Sequence, residues 1–171
     1  MLKSFKNFIL NTLFPQFCLN CKREGDIVCQ DCLSLIEIMP YQYCPFCKTP
    51  KRVIDKGKCQ AHQNFKLSGL FAASSYQNSL LKAMVRKFKY APFLKTFSKP
   101  LAFLIISHFL SIENKTTNSI QHQKKARQEN SFLIPIPLSR FRKRWRGFNQ
   151  SALIAKELSP ILKIPVLENN L

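Results

Sequence analysis

The sequence predicts an α/β protein headed by a small metal-binding module, and three observations carry that expectation. Cysteine and histidine fall into four pairs, each with a two-residue gap: Cys18 with Cys21, Cys29 with Cys32, Cys44 with Cys47, and Cys59 with His62. All seven cysteines precede residue 60, so the rest of the chain must fold by burial, for which 46% apolar residues supply the material. From residue 70 onward, short apolar runs alternate with stretches of helical spacing. Their order is strand, helix, helix, strand, loop, helix, strand, as in an α/β domain.

The eight ligands of the first third are enough for two tetrahedral zinc sites. A two-residue gap lets both donors of a knuckle converge on one ion, and two knuckles close the shell. Taken in order, Cys18, Cys21, Cys29 and Cys32 hold one ion, and Cys44, Cys47, Cys59 and His62 the other. A crossed pairing of the first and third knuckles satisfies the same spacing. Residues 18–66 thus read as a double zinc ribbon. Structural zinc contributes roughly 10–16 kcal/mol of apparent folding free energy, enough to order such a segment with little core. Four protein ligands leave no open position for a catalytic water, so these ions hold shape. A disulfide framework and a redox role for a single pair are the competing readings. No secretory signal accompanies the cysteines, because the first 17 residues carry Lys3, Lys6 and a short apolar run without a small-residue cleavage site. No stretch reaches the length of a membrane-spanning helix. The expectation is a cytoplasmic protein with metal-bound thiols.

Along the chain, residues 1–17 read as an amphipathic segment, 18–66 as the metal module and 67–171 as the α/β part. Leu70 to Tyr76 has strand character. Ser79 to Tyr90 places Leu80, Leu81, Met84, Val85 and Phe88 on one helical face, with Lys82, Arg86, Lys87 and Lys89 opposite. Ser98 and Pro100 suit a helix start, and Leu101 to Leu110 is strongly apolar. Residues 113–130 are polar and aperiodic, a loop. Phe132 to Pro137 is a short strand, Leu138 to Gly147 a basic loop, and Asn149 the N-cap of a further helix that meets Pro160. Ile164 to Leu167 begins another strand.

The formal net charge is +18, from 27 basic and 9 acidic residues. Seven thiolates on two zinc ions would lower it to about +15. Such a field favours polyanions, single-stranded nucleic acid among them. Part of the excess reflects a general enrichment in lysine. The sharpest concentration is Arg140 to Arg146, where five of seven residues are cationic. Placed between a strand end and a helix start, such a segment can gather guanidinium charge and backbone N–H groups around an anion. Gly147 permits a turn in which the backbone approaches a ligand.

Several segments together resemble a known family: Phe14-Pro15 ahead of Cys18 and Cys21, the paired knuckles, the strand ending at Tyr76, Lys87-Phe-Lys-Tyr90, and Pro135-Ile-Pro-Leu138 leading to Arg146-Gly-Phe-Asn-Gln150. The chain is similar to the bacterial ComF family, phosphoribosyltransferase-like proteins linked to competence and DNA uptake. His62 stands where many members carry cysteine. The resemblance implies a type I phosphoribosyltransferase fold behind the ribbons, with Arg144, Arg146 and Gly147 contacting the pyrophosphate of phosphoribosyl pyrophosphate. It further implies Mg²⁺ bridging the phosphates, and other DNA-uptake proteins as partners.

The family's acidic pair and Thr-Thr-Gly phosphate loop have no counterpart here. The chain has no two adjacent acidic residues, and its four glycines are Gly25, Gly57, Gly69 and Gly147. The expectation is therefore an incomplete phosphoribosyltransferase-like domain, cut before that loop and inactive as a transferase alone. Mg²⁺ and phosphoribosyl pyrophosphate would then bind only if the missing half were supplied. The alternative is a zinc-ribbon nucleic-acid-binding or adaptor protein without transferase activity.

Overall fold

The computed structural model describes residues 15–49, 51–53, 58–67, 69–113 and 131–168. Residues 1–14 of the expected amphipathic segment and the polar loop beyond Glu113 lie outside them; Phe17, at the end of that segment, forms an isolated antiparallel bridge with Glu24. The described residues form a helical body joined to a small two-stranded sheet.

Helix α1 spans Gln30–Ser34 and directly follows Cys29, which acts as its N-cap residue. Strands β1 (Gln42–Tyr43) and β2 (Arg52–Val53) pair antiparallel, Gln42 opposite Val53 and Tyr43 opposite Arg52. A 3₁₀ turn at Gln60–His62 closes the second half of the module.

Helix α2 (Ser79–Lys89) begins where the Asn78 side chain accepts a hydrogen bond from the Leu81 N–H. Its apolar face buries Leu80, Leu81, Met84 and Phe88, as the spacing predicts. Helix α3 (Ser98–Glu113) is apolar on most of its surface and buries Leu101, Ala102, Leu104 and His108. Helix α5 (Gln150–Leu162) is capped by Asn149, whose Oδ1 accepts from the Ser151 N–H, and runs through Pro160. It packs along α3, where the Ser98 hydroxyl donates to Glu157 at 3.0 Å.

Two expectations are corrected. Leu138 to Gly147 is not a loop: Arg140–Arg146 forms helix α4, with Ser139 as N-cap and Gly147 as a left-handed C-cap at φ 75°. The segment buries nothing, so no apolar stripe announces a helix. Its two caps and three cations in the last turn, facing the negative end of the helix dipole, supply the stabilisation. The expected strands at 70–76, 132–137 and 164–167 are reduced to single bridges, Tyr43 with Leu70 antiparallel and Leu133 with Val166 parallel. With one bridge each, they lack the neighbours that would extend a ladder.

One core joins the first cysteine quartet to the helices. Cys18, Val28, Cys32 and Ile36 pack in the same cluster as Met84, Phe88, Phe97, Leu104 and Phe148.

Candidate metal centres and basic surface

The structure brings the eight ligands together in the sequential pairing. Cys18, Cys21, Cys29 and Cys32 form one group, and Cys44, Cys47, Cys59 and His62 the other, with the ligand atoms of each within 4.8 Å of one another. All seven thiols are free. The Sγ atoms of Cys21 and Cys29 lie 3.6 Å apart, as do those of Cys47 and Cys59. A disulfide needs ~2.05 Å, whereas a tetrahedron of ~2.3 Å Zn–S bonds has edges of ~3.8 Å. The His62 Nδ1 atom stands 3.5, 3.7 and 3.2 Å from the sulfurs of Cys44, Cys47 and Cys59. A zinc site with one nitrogen predicts edges of ~3.6 Å there. The donor sets fit two zinc ions.

Local backbone explains each convergence. At the first site Lys22 takes a left-handed conformation at φ 62°, and its N–H returns to the Cys18 carbonyl at 3.0 Å. Gly25, at φ 124°, donates to the Gln16 carbonyl at 2.9 Å, which closes the knuckle. Donors also face the sulfurs: the Cys29 N–H points at Cys18 Sγ and the Asn20 amide at Cys32 Sγ, both at 3.4 Å. Such outer contacts orient thiolate ligands and stabilise their charge. At the second site Cys44 follows β1 and donates its N–H to the Lys51 carbonyl. The His62 ring is braced by Phe46 and Phe65. The Lys58 ammonium ties the segment down through the carbonyls of Gln63 and Phe65.

The thiols of each quartet are pulled in opposite directions. Burial pushes the Cys18 thiol up, but the N–H groups of Cys29, Cys21 and Asn20 draw it down to about 6. Burial likewise opposes ionisation of Cys44, while the N–H groups of Cys59 and Phe46 and the His62 ring bring it to about 6. Cys47 goes the other way, up to about 11, through burial and its bonds to Cys59 and Cys44. At Cys29 the Cys32 N–H favours the thiolate, but the Cys32 thiol, burial and the Cys21 and Cys18 thiols push it to about 12. One thiolate per quartet is welcome and the next is resisted; a divalent cation removes that conflict.

The second feature is a cationic and aromatic surface where α2 and α4 end. Trp145 meets Phe93 edge to face with centroids 5.1 Å apart and stands 6.5 Å from Tyr90. The Arg146 guanidinium lies 5.6 Å from the Tyr90 ring and 5.9 Å from that of Trp145. Tyr90 and Trp145 remain half exposed and Phe141 is 79% exposed. Around them stand Arg86 and Lys89 from α2 and Arg140, Arg142, Lys143 and Arg144 from α4, all exposed. No acidic residue occurs between Asp55 and Glu113, or between Glu129 and Glu157.

The three residues expected to contact an anion are placed differently from one another. Arg144 is exposed on α4. Arg146 is half-buried and donates from Nη1 to Gln150 Oε1 at 3.0 Å. The Gly147 N–H is spent on the Lys143 carbonyl, so this glycine terminates a helix instead of offering its backbone to a ligand. Sequence reasoning passed over Tyr90, Phe93 and Trp145. The signal for Tyr90 and Trp145 was the interleaving of aromatic and basic residues in Arg86-Lys-Phe-Lys-Tyr90 and Arg140-Phe-Arg-Lys-Arg-Trp-Arg146; Phe93 lies outside both runs.

Compared with protein-family models, with curated proteins and with solved structures, the chain gives no match. Among the described residues no helix is long and apolar enough to cross a membrane.

Proposed function

We propose that this chain is a ComF-like protein of DNA uptake, in which a double zinc ribbon orders a surface that handles single-stranded nucleic acid. The observation that carries the reading is the aromatic and cationic surface around Trp145. Bases stack on exposed aromatic rings while guanidinium and ammonium groups follow the phosphates. Tyr90 and Trp145 supply rings, and α2 and α4 supply cations with no acidic residue nearby in sequence.

Zinc has a purely architectural part in this reading. The two quartets hold one ion each, and the first sits in the core that positions α2. The phosphoribosyltransferase-like domain rests on thinner support: the parallel bridge of Leu133 with Val166 across α4 and α5, a connection characteristic of α/β units. Mg²⁺ and phosphoribosyl pyrophosphate do not fit the residues present. The two cysteine quartets are the metal-ligand groups found among the described residues, and the sequence has no acidic pair to hold Mg²⁺. We therefore assign no transfer step to this chain. The adaptor reading, a zinc-ribbon nucleic-acid binder without transferase ancestry in its activity, shares the same surface.

Fluorescence anisotropy with a labelled single-stranded oligonucleotide tests the proposal. Binding is expected to weaken steeply with salt and to resist competition by phosphoribosyl pyrophosphate. Salt-independent binding, or none, rejects nucleic acid as the ligand. Competition at equimolar phosphoribosyl pyrophosphate restores the pyrophosphate-site reading of Arg144 and Arg146.

A further inference from the structure

A cavity lies between α2, α3 and α5. It is a groove of about 350 Å³ walled by apolar side chains, Leu81, Val85, Phe88, Leu104 and Ile154 among them. That volume lies in the range of small-molecule sites, roughly 300–1,000 Å³. Lys89 and Gln150 also line it.

Gln150 is the informative member. It is only 6% exposed, and its Nε2 has no hydrogen-bond partner among the described residues. Its orientation is fixed, because Oε1 accepts from Arg146 and a flipped amide would set donor against donor. The Arg146 Nε is also buried and unpartnered. Two buried donors, coupled through one hydrogen bond, therefore lack an acceptor. Such groups are rare in folded proteins and cost about 1–3 kcal/mol each when left unmatched. The acidic residue on α5, Glu157, accepts from Ser98 instead. Lys89 at the end of α2 and Gln150 at the start of α5 give the groove one cation and one amide, and Arg146 reaches it only through its hydrogen bond to Gln150.

We infer that this groove binds an amphipathic anion, with an apolar body among the three helices and an oxyanion head received by Gln150 and Lys89. The apolar walls select against a bare anion such as pyrophosphate. The donor end selects against an apolar cation. Its apolar walls are the inner faces of the helices and stand apart from the nucleic-acid reading, while Lys89 borders both the groove and the cationic surface.

Decanoate is a suitable probe, added to the zinc-loaded full chain below its micelle concentration and followed by ¹H–¹⁵N NMR. The expected result is saturable shifts at Lys89, Ser151 and Ile154, with decylamine and inorganic pyrophosphate at least tenfold weaker. Gln150→Met keeps the volume and removes the amide; Lys89→Ala removes a charge at the edge of the groove. Each should weaken decanoate at least fivefold while zinc content and the wild-type spectrum elsewhere are retained. Equal affinity for decylamine, equal affinity for pyrophosphate, unchanged decanoate binding in both variants, or no shifts at millimolar decanoate would each overturn the inference. If Gln150→Met fails to fold, Lys89→Ala and the two control ligands still decide the outcome.

Discussion

The His108 ring, 1% exposed within α3, donates its Nδ1–H to the carbonyl of Met39 in the segment between the two metal sites. Met39 in turn donates its N–H to the Ala73 carbonyl at 2.9 Å. One side chain thus ties the helical body to the module and to the strap that leaves it. Phe71 and Phe109 pack against the same ring. His108→Leu should cost about 1–3 kcal/mol, the usual penalty for removing one partner of a sheltered hydrogen bond. His108→Gln, which keeps a donor, should lose less. Urea denaturation of the zinc-loaded protein measures both.

Zinc removal should separate the two sites by their reach. Elemental analysis is expected to give two zinc ions per chain, and one after either Cys18→Ser or Cys44→Ser. Cys18 and Cys32 belong to the common core, so loss of the first ion should loosen α2 and α3 and broaden their NMR resonances. Cys44 and Cys59 are buried but lie outside that cluster. Losing the second ion should therefore disturb the β1–β2 hairpin and the Gln60–His62 turn and leave the helices in place. Equal damage from both substitutions would contradict this ordering.

The metal-free, reduced chain should have a stability maximum near pH 9. Cys18 and Cys44 hold their thiolates to about 6 in the folded state against an ordinary value of 9.0. Their contribution is complete above pH 9, declines between 9 and 6, and is gone below 6. Cys29 and Cys47 retain protons to about 12 and about 11. Their contribution is present below pH 9 and is lost as pH rises toward those values. Urea midpoints at pH 6, 7.5, 9 and 10.5 should rise and then fall. A monotonic profile would mean that the quartets do not persist without metal.

The metal sites were legible because ligand spacing is a local property. Two residues between donors suffice to aim both at one ion, and the chain has no surplus cysteine to confuse the count. Even so, the spacing left a crossed pairing open, and only the meeting of Cys29 with Cys21 and of Cys59 with Cys47 resolves it. Helices α2 and α3 were legible because each buries a periodic apolar face. Helix α4 was not, because Arg140 to Arg146 buries no side chain and is held by caps at its ends. The boundary expected between residues 66 and 67 was drawn from a change of texture. Yet the core passes across it from Cys18 and Ile36 to Met84 and Phe97, a contact between distant segments that no local pattern records.

Gly147→Ala should cost about 1–2 kcal/mol, the penalty for a Cβ in the left-handed region. No atom lies within 4 Å of the position that Cβ would take, so the cost is conformational and not a clash. Because the Gly147 N–H serves the Lys143 carbonyl, oligonucleotide affinity should change less than twofold where the variant is folded. A large selective loss of binding would return this glycine to the ligand site.

Charge and stacking on the α2–α4 surface should come apart under mutation. Arg144 is exposed on α4, so Arg144→Ala should lower the slope of log affinity against log salt by about 0.7 if it contacts one phosphate of a single strand. Trp145 carries no charge, so Trp145→Ala should leave the slope unchanged and cost about 1–3 kcal/mol of binding if a base stacks on it. Its ring also braces Phe93, so the loss must be read beside a thermal melt. Arg146→Ala should resemble neither: it removes the guanidinium beside Tyr90 and the hydrogen bond to Gln150 together, reducing slope and stability at once. If Trp145→Ala and Arg144→Ala both lowered the slope and nothing else, the rings would be bystanders. The surface would then be a purely electrostatic one.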